Sequence, residues 1–226
     1  MPSARFSGST LPWLAALSAA VTIAAASGGL PAGLQFAFKP LTTLLVIAWA
    51  WPRGMDAPAV RRWVRVGLVL ALAGDVFLLW PKEGFLPGLV SFLLAHLAYI
   101  VAFTRRVRPA ARPLAFVAYG LLAAAILVRL WPGVPEALRV PVLAYVVCLA
   151  TMAAQTGVTW LVARGTAAEP LARRAALGGA LFMASDALLA INKFGAPVPS
   201  AALWILLTYW VAQGLIGGSL RASADG

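Results

Sequence analysis

Residues 71–80 read ALAGDVFLLW and residues 182–190 read FMASDALLA. Each stretch is apolar apart from one acid, Asp75 or Asp186. An ionisable side chain at the centre of a membrane helix costs about 2.5–3.5 kcal/mol on insertion scales. A membrane segment that keeps one must turn it into a bundle interior and give it partners. The rest of the chain is equally apolar. Of 226 residues, 62% are hydrophobic and 11% charged, with a mean hydropathy of +0.89. A soluble domain is roughly half apolar and a quarter charged. The composition therefore predicts an all-α polytopic membrane protein.

A membrane helix needs about 20 mostly apolar residues. Eight segments meet or approach that length, at about 11–29, 35–52, 64–80, 85–104, 113–131, 139–163, 174–192 and 198–218. The first is Ala-rich and comes after Arg5, so a signal peptide is the alternative there. A retained helix is preferred, because the remaining segments are just as membrane-like. The second is the weakest, since Lys39 and Pro40 interrupt its start. Pro40 is expected in a first helical turn, where its missing N–H costs little. Lys39 is expected to snorkel to the near interface.

Lysine and arginine set the orientation. With the N-terminus in the cytoplasm, Arg5, Arg53, Arg61, Arg62, Arg65, Arg105, Arg106, Arg108, Arg112, Arg164, Arg173, Arg174 and Arg221 share the inner side. Lys39, Lys82, Arg129, Arg139 and Lys193 fall outside, 13 against 5. Both termini are expected to be cytoplasmic, in a multi-pass protein of a bacterial inner membrane. The net charge of +11 then reads as loop arginines holding a topology beside membrane lipids, not as a nucleic-acid surface. The loops are too short for a separate domain, so residues 1–226 form one transmembrane domain. LAGDVFLL and MASDALLA share a small–Asp–x–x–Leu pattern half a chain apart. A weak repeat of two four-helix halves, about 1–112 and 113–226, is one reading of it.

Few residues are able to carry chemistry. The single cysteine, Cys148, forms no internal disulfide. One cysteine and one histidine, His96, do not make a zinc site, and no metal is expected. Asp75 and Asp186 lie at similar depths near the outer ends of spans three and seven. Two readings stand for them. Asp75 with Lys39, or Asp186 with Lys193, would glue helices together. Alternatively both acids line one pocket, where two close carboxyls do not easily ionise together and so supply an acid and a base. His96 lies near mid-depth, with Tyr99 at i+3 on the same face. Ser91 and Ser185 lack a nucleophile elbow, and a membrane serine more often bonds backbone or mediates packing. Thr151, Gln155, Tyr145, Tyr209 and Gln213 are polar, but their spacing is not specific. From these residues alone a proton-coupled transporter and an intramembrane aspartyl protease both compete with a hydrolase. The first lacks an inverted repeat and a broken span. The second has only a loose AGD likeness to a Gly-x-Gly-Asp signature and no Pro-Ala-Leu motif.

FKPLTTLL at 38–45, LAGDVFLL at 72–79, FLLAHLAYI at 92–100 and FMASDALLAINKF at 182–194 together resemble the YhhN-type lysoplasmalogenase family. The motifs come in the family's order and span most of the chain. The resemblance implies an integral membrane hydrolase of the vinyl ether bond of lysoplasmalogens. Its products would be a fatty aldehyde and glycerophosphoethanolamine or glycerophosphocholine, and it would need no cofactor. It implies Asp75 and Asp186 as the catalytic acids. Lys39, His96, Tyr99, Ser185, Asn192 and Lys193 are then the supporting or lysophospholipid-binding residues. Vinyl ether hydrolysis suits two carboxyls, because it needs a proton on the β-carbon and negative charge beside an oxocarbenium ion. Which acid donates stays open, with Asp186 preferred for its apolar neighbours Phe182 and Leu189.

Overall fold

The structure is a computed structural model and describes residues 10–80 and 82–222. Arg5, one of the arginines assigned to the inner side, lies outside them. The described residues form eight α-helices: α1 Thr10–Ala26, α2 Leu34–Ala50, α3 Pro58–Phe77, α4 Phe85–Thr104, α5 Pro113–Leu130, α6 Arg139–Ala163, α7 Glu169–Phe194 and α8 Ala201–Gly218. Two short 3₁₀ turns, Trp131–Gly133 and Glu136–Leu138, join α5 to α6. The all-helical class agrees with the composition. Five helices, α4 to α8, are long and apolar enough to cross a membrane, while α1 and α2 are shorter apolar helices.

The differences from the apolar windows have local causes. α3 starts at Pro58, six residues earlier than expected, because PAVRRWVRV is helical though not apolar. Proline is favoured in a first turn, and Arg61, Arg62 and Arg65 continue the helix beyond its apolar part. α7 begins early for the same reason, at Glu169 with Pro170 behind it. Pro40 is not in a first turn. α2 begins at Leu34, so Pro40 sits inside the helix and the carbonyl of Phe36 loses its helical donor. Neighbouring helices tolerate such a proline by bonding the nearby backbone. Here the Ser18 hydroxyl, on α1, donates to the Phe38 carbonyl at 3.0 Å.

The helices alternate in direction, as contacts at both ends of the bundle show. At one end, Gly54 N–H donates to Arg221 O at 2.8 Å. Arg106 and Arg174 donate to the carbonyls of Ser219 and Gly218 at the end of α8. Arg53 and Arg65 stack on Trp49 and Trp51 at the same end. At the other end, Phe36 meets Trp80 and Phe85 meets Phe194. Most arginines therefore cluster at one end.

The core mixes apolar side chains such as Leu68, Phe103, Met152, Phe182 and Ile216 with polar ones, and the outer surface is apolar. Ser18, Thr22, Thr43, Asp75, His96, Gln155, Thr156, Ser185 and Gln213 are buried, whereas Trp13, Leu17, Leu114, Leu121, Val128 and Val140 face outward. The closest pairs are α1–α2, α3–α4, α6–α7 and α7–α8, and α2–α8 and α4–α6 tie them together. α5 stays at the rim, packed along α6 and only lightly against α7. Gly67 and Gly74 let α3 and α4 approach. A Cβ at either would overlap a ring of α4, that of Tyr99 or Phe92 respectively. Gly74 therefore sets Phe92 beside the next residue, Asp75.

Candidate active site

α3 ends two residues after Asp75, so its carboxyl sits in a last turn. It is almost fully buried and surrounded by donors. The Thr43 hydroxyl on α2 donates to Oδ2 at 2.6 Å, and the Tyr209 hydroxyl on α8 donates to the same oxygen at 2.7 Å. Lys39 Nζ lies 3.8 Å from Oδ1. Lys39 does not snorkel. Its side chain turns inward from α2 and its ammonium faces the Asp75 carboxylate, a buried partner of opposite charge, instead of the headgroup interface.

A second layer fixes the direction of these bonds. Trp210 Nε1–H donates to Thr43 Oγ at 3.0 Å. Gln213 Nε2–H donates to Tyr209 Oη at 3.2 Å, and Tyr99 O–H donates to Gln213 Oε1 at 2.7 Å. An indole nitrogen only donates, so the Thr43 proton is left for Asp75. The Tyr99 bond orients the Gln213 amide, whose N–H then leaves the Tyr209 proton for Asp75 as well. Two chains of donors thus end on one oxygen, Oδ2, which acts purely as acceptor.

Asp186 lies about two turns before the end of α7. Tyr145 on α6 donates to its Oδ2 at 2.5 Å. Oδ1 has no hydrogen-bond partner among the described residues. His96 Nε2 is 3.9 Å from Oδ2, beyond hydrogen-bond reach. The His96 ring is fully buried, and neither of its nitrogens is hydrogen-bonded among the described residues. Phe182 and Tyr145 hold the ring edge-on, with centroids 4.6 and 5.2 Å away.

The two acids line one cavity of about 1060 Å³, counting its open mouth. Lys39, Ser185, Asn192, Lys193, Gln35 and Tyr209 also line it. Of the eight residues expected at the site, six therefore share its wall. His96 reaches it only through Asp186. Tyr99 is fully buried, away from the wall, and acts through Gln213 and Tyr209 rather than on a ligand near the mouth. Ser185 donates to the Ile205 carbonyl across to α8 at 2.9 Å, the packing role of a membrane serine. Asn192 Oδ1 accepts from Val198 N–H, and Lys193 lies over the Phe85 ring, Nζ 3.9 Å from its centre. The carboxyls share no hydrogen bond with each other. Phe92 and Phe182 both pack against Tyr209, forming an aromatic partition beside the two clusters.

Tyr145, Tyr209 and Gln213 were visible in the sequence as polar residues without a distinguishing spacing. Thr43 lies inside the FKPLTTLL motif and carries no mark of its own. Their partners lie on other helices, which spacing along one helix does not report. Among the described residues no three His, Cys, Asp or Glu side chains converge as a metal site would require.

The sequence pattern of the YhhN family matches residues 34–220. The chain is 33% identical over 163 residues to lysoplasmalogenase TMEM86A of Bos taurus, covering 71% of this chain and 65% of that protein. It is 34% identical over 192 residues to a lysoplasmalogenase of Mycobacterium bovis, covering 81% and 69%. It is 39% identical over 163 residues to lysoplasmalogenase TMEM86B of Sus scrofa, covering 69% and 62%. The chain thus spans just under two thirds of the two mammalian relatives. No solved structure matches it.

Proposed function

The chain belongs to the YhhN family, and on that premise we propose that it is an integral membrane hydrolase cleaving the vinyl ether bond of lysoplasmalogens. The observation that carries this reading is one cavity lined by two membrane aspartates that are bonded in opposite ways. Asp75 is a held acceptor and Asp186 has an oxygen to spare. Relatives named lysoplasmalogenase supply the bond to be cleaved.

Asp186 is the general acid. With Tyr145 donating to Oδ2, the carboxylic proton belongs on Oδ1, which has no partner among the described residues. It passes to the β-carbon of the vinyl ether, and the C=C electron pair forms the new C–H bond. The positive charge left behind is an oxocarbenium ion. Asp75, held as acceptor, stabilises that charge and takes a proton from the attacking water. The hemiacetal that forms loses its hydroxyl proton and returns one to the departing glycerol oxygen. Aldehyde and glycerol hydroxyl result, and one water is consumed. The proton gained by Asp75 returns to Asp186 through the shared cavity, which resets the pair. Once Asp186 has given up its proton, the Tyr145 O–H stabilises the new carboxylate. Lys39 and Lys193, on the cavity wall, suit the phosphate of the headgroup.

The finer architecture belongs to the same reading. All eight helices span the membrane, α3 with its arginine-rich end in the cytoplasmic interface, and both termini are cytoplasmic. The cluster of arginines at one end supports this. So does the sealing of α8's end by Arg106 and Arg174. Residues 1–226 act as one domain made of two four-helix halves. Asp75 bonds to α2 and α8, and Asp186 faces α6 and α4, which is the same arrangement shifted by four helices. The host membrane is the inner membrane of a bacterium.

The test is aldehyde release by the purified protein in detergent from lysoplasmenylethanolamine. Release that Asp186→Asn abolishes is the expected result. No aldehyde from either lysoplasmenylethanolamine or lysoplasmenylcholine overturns the reading.

A further inference from the structure

Beside the polar cavity lies a second, apolar recess of about 850 Å³, counting the open space at its mouth, a chamber bounded by α4 to α7. Its walls are almost entirely hydrocarbon. Tyr145, Asp186 and Lys193 are the polar side chains on them. The two spaces share Leu78, Phe85, Phe92, Asp186, Leu189 and Lys193, so they meet at Asp186. Asp75 lines only the polar one. From the meeting point the chamber runs between Leu127 and Leu130 of α5 and Val142 and Leu149 of α6.

A shallower recess lies between α5 and α7, walled by Ala118 and Leu122 on one helix and Ala180 and Ala184 on the other. It shares Ile126, Met183 and Ala187 with the chamber. This is where α5 is only lightly packed. The outer face of α5 is apolar, with Leu114, Leu121 and Val128 each more than two-thirds exposed. Apolar side chains therefore line the span from the outer face of α5, past the recess and the chamber, to Asp186.

We propose that this chamber holds the single hydrocarbon chain of a lysolipid, which enters sideways from the bilayer between α5 and α7. The proposal rests on the reading of the polar cavity as the headgroup site. A chain in the chamber and a phosphate beside Lys39 and Lys193 put the first carbons of the chain at Asp186. The β-carbon, on the chain side of the ether oxygen, then faces the acid. The glycerol side faces Asp75. A bilayer is as apolar as the chamber, so transfer between them brings no hydrophobic gain. The chamber therefore positions the chain rather than tightening its binding, and altering it should change kcat more than KM.

The binding test uses a saturated, non-cleavable alkyl-ether lysophosphatidylethanolamine with a diazirine at the chain end. It is photolysed with the full-length protein in nanodiscs, and labelled peptides are mapped by mass spectrometry. Label on Leu127, Leu130, Val142 or Leu149, lost under excess unlabelled lysolipid, is the expected result. Label confined to Leu114, Leu121 and Val128, or not competed, marks a bulk-lipid contact only and overturns the proposal. Ala184→Trp, filling the recess, should slow chamber labelling at least threefold, and an unchanged rate overturns the side entry.

The kinetic test fills the chamber with Ala123→Trp, or with Ala123→Leu if the larger side chain prevents folding. Ala123 is buried on its α5 wall. The ratio of long-chain to short-chain aldehyde release should fall at least tenfold, mainly through kcat. An unchanged ratio overturns the proposal. Absence of hydrolysis by the unaltered protein would sink the enzymatic reading, while competed label in the chamber would still establish the chain site.

Discussion

Asp75 and Asp186 are the same residue type in the same kind of apolar helix, yet the fold treats them differently. Asp75 has two hydroxyl donors on one oxygen, an ammonium near the other, and a second layer that orients the first. Among the described residues, Asp186 has one hydroxyl donor, an imidazole 3.9 Å away and an oxygen without a partner, on the wall that two cavities share. Burying a charge is tolerable only when it is paired and hydrogen-bonded. The first arrangement suits a carboxylate that begins the reaction charged and accepts a proton from water, and the second a carboxyl that keeps and gives a proton. The contrast also reconciles the two readings that the sequence left open. Asp75 does pair with Lys39, and that pair is at once a link between α2 and α3 and part of the cavity wall.

The largest effect should come from Asp75→Asn, which strikes stability and activity together. Breaking a buried ion pair on one side costs about 3–5 kcal/mol, because the remaining charge is stranded. The thermal midpoint should drop and aldehyde release should vanish. Adding Lys39→Met should recover most of the midpoint and none of the activity. Recovery of both would mean that Asp75 is only structural.

Asp186→Asn comes next, and it should separate activity from stability. Removing a general acid costs about 10²–10⁴-fold in rate. Asparagine keeps an oxygen for Tyr145, so the midpoint should stay within about 1 kcal/mol of the parent on the scale of one hydrogen bond. A large loss of stability here would erase the distinction between the two acids.

Tyr145→Phe tests the hydrogen bond from Tyr145 to Asp186 and should be milder. A hydrogen bond to a charged group is worth about 1.5–3 kcal/mol. If the bond is made mainly to the carboxylate left after proton transfer, kcat should fall at least tenfold with little change in KM. Equal losses in binding and turnover would return Tyr145 to a packing role.

A linear pattern records some of these features and not others. All eight helices were legible as apolar runs, since hydropathy along one segment is a local property. The arginine-rich start of α3 and the early start of α7 were not, because a helix leaving the apolar layer loses the signal while keeping its backbone. The two acids stood out because each interrupts an apolar run. Lys39 was visible but pointed the wrong way, since snorkelling and inward pairing look alike until a partner's position is known. Thr43, Tyr209 and Gln213 lie 32, 134 and 114 residues from the partners that give them meaning, Asp75 for the first two and Tyr99 for the last. Only the packing of α2, α4 and α8 around α3 brings those pairs together.

The smallest predicted effect probes the outermost link of the Asp75 network. Tyr99→Phe keeps the buried ring but removes the proton that orients the Gln213 amide. The amide is then free to turn its oxygen toward Tyr209, whose proton would leave Asp75 for that new acceptor. One donor to Oδ2 is weakened while Thr43 and Lys39 stay in place. The net value of such a bond is about 1 kcal/mol, so kcat should fall about fivefold with KM and midpoint nearly unchanged. Gln213→Leu, which strips the same support from Tyr209 directly, should give a similar loss of rate. Combining the two changes should add little, because both act through one hydroxyl. Fully additive losses would show that Tyr99 reaches the chemistry by another path.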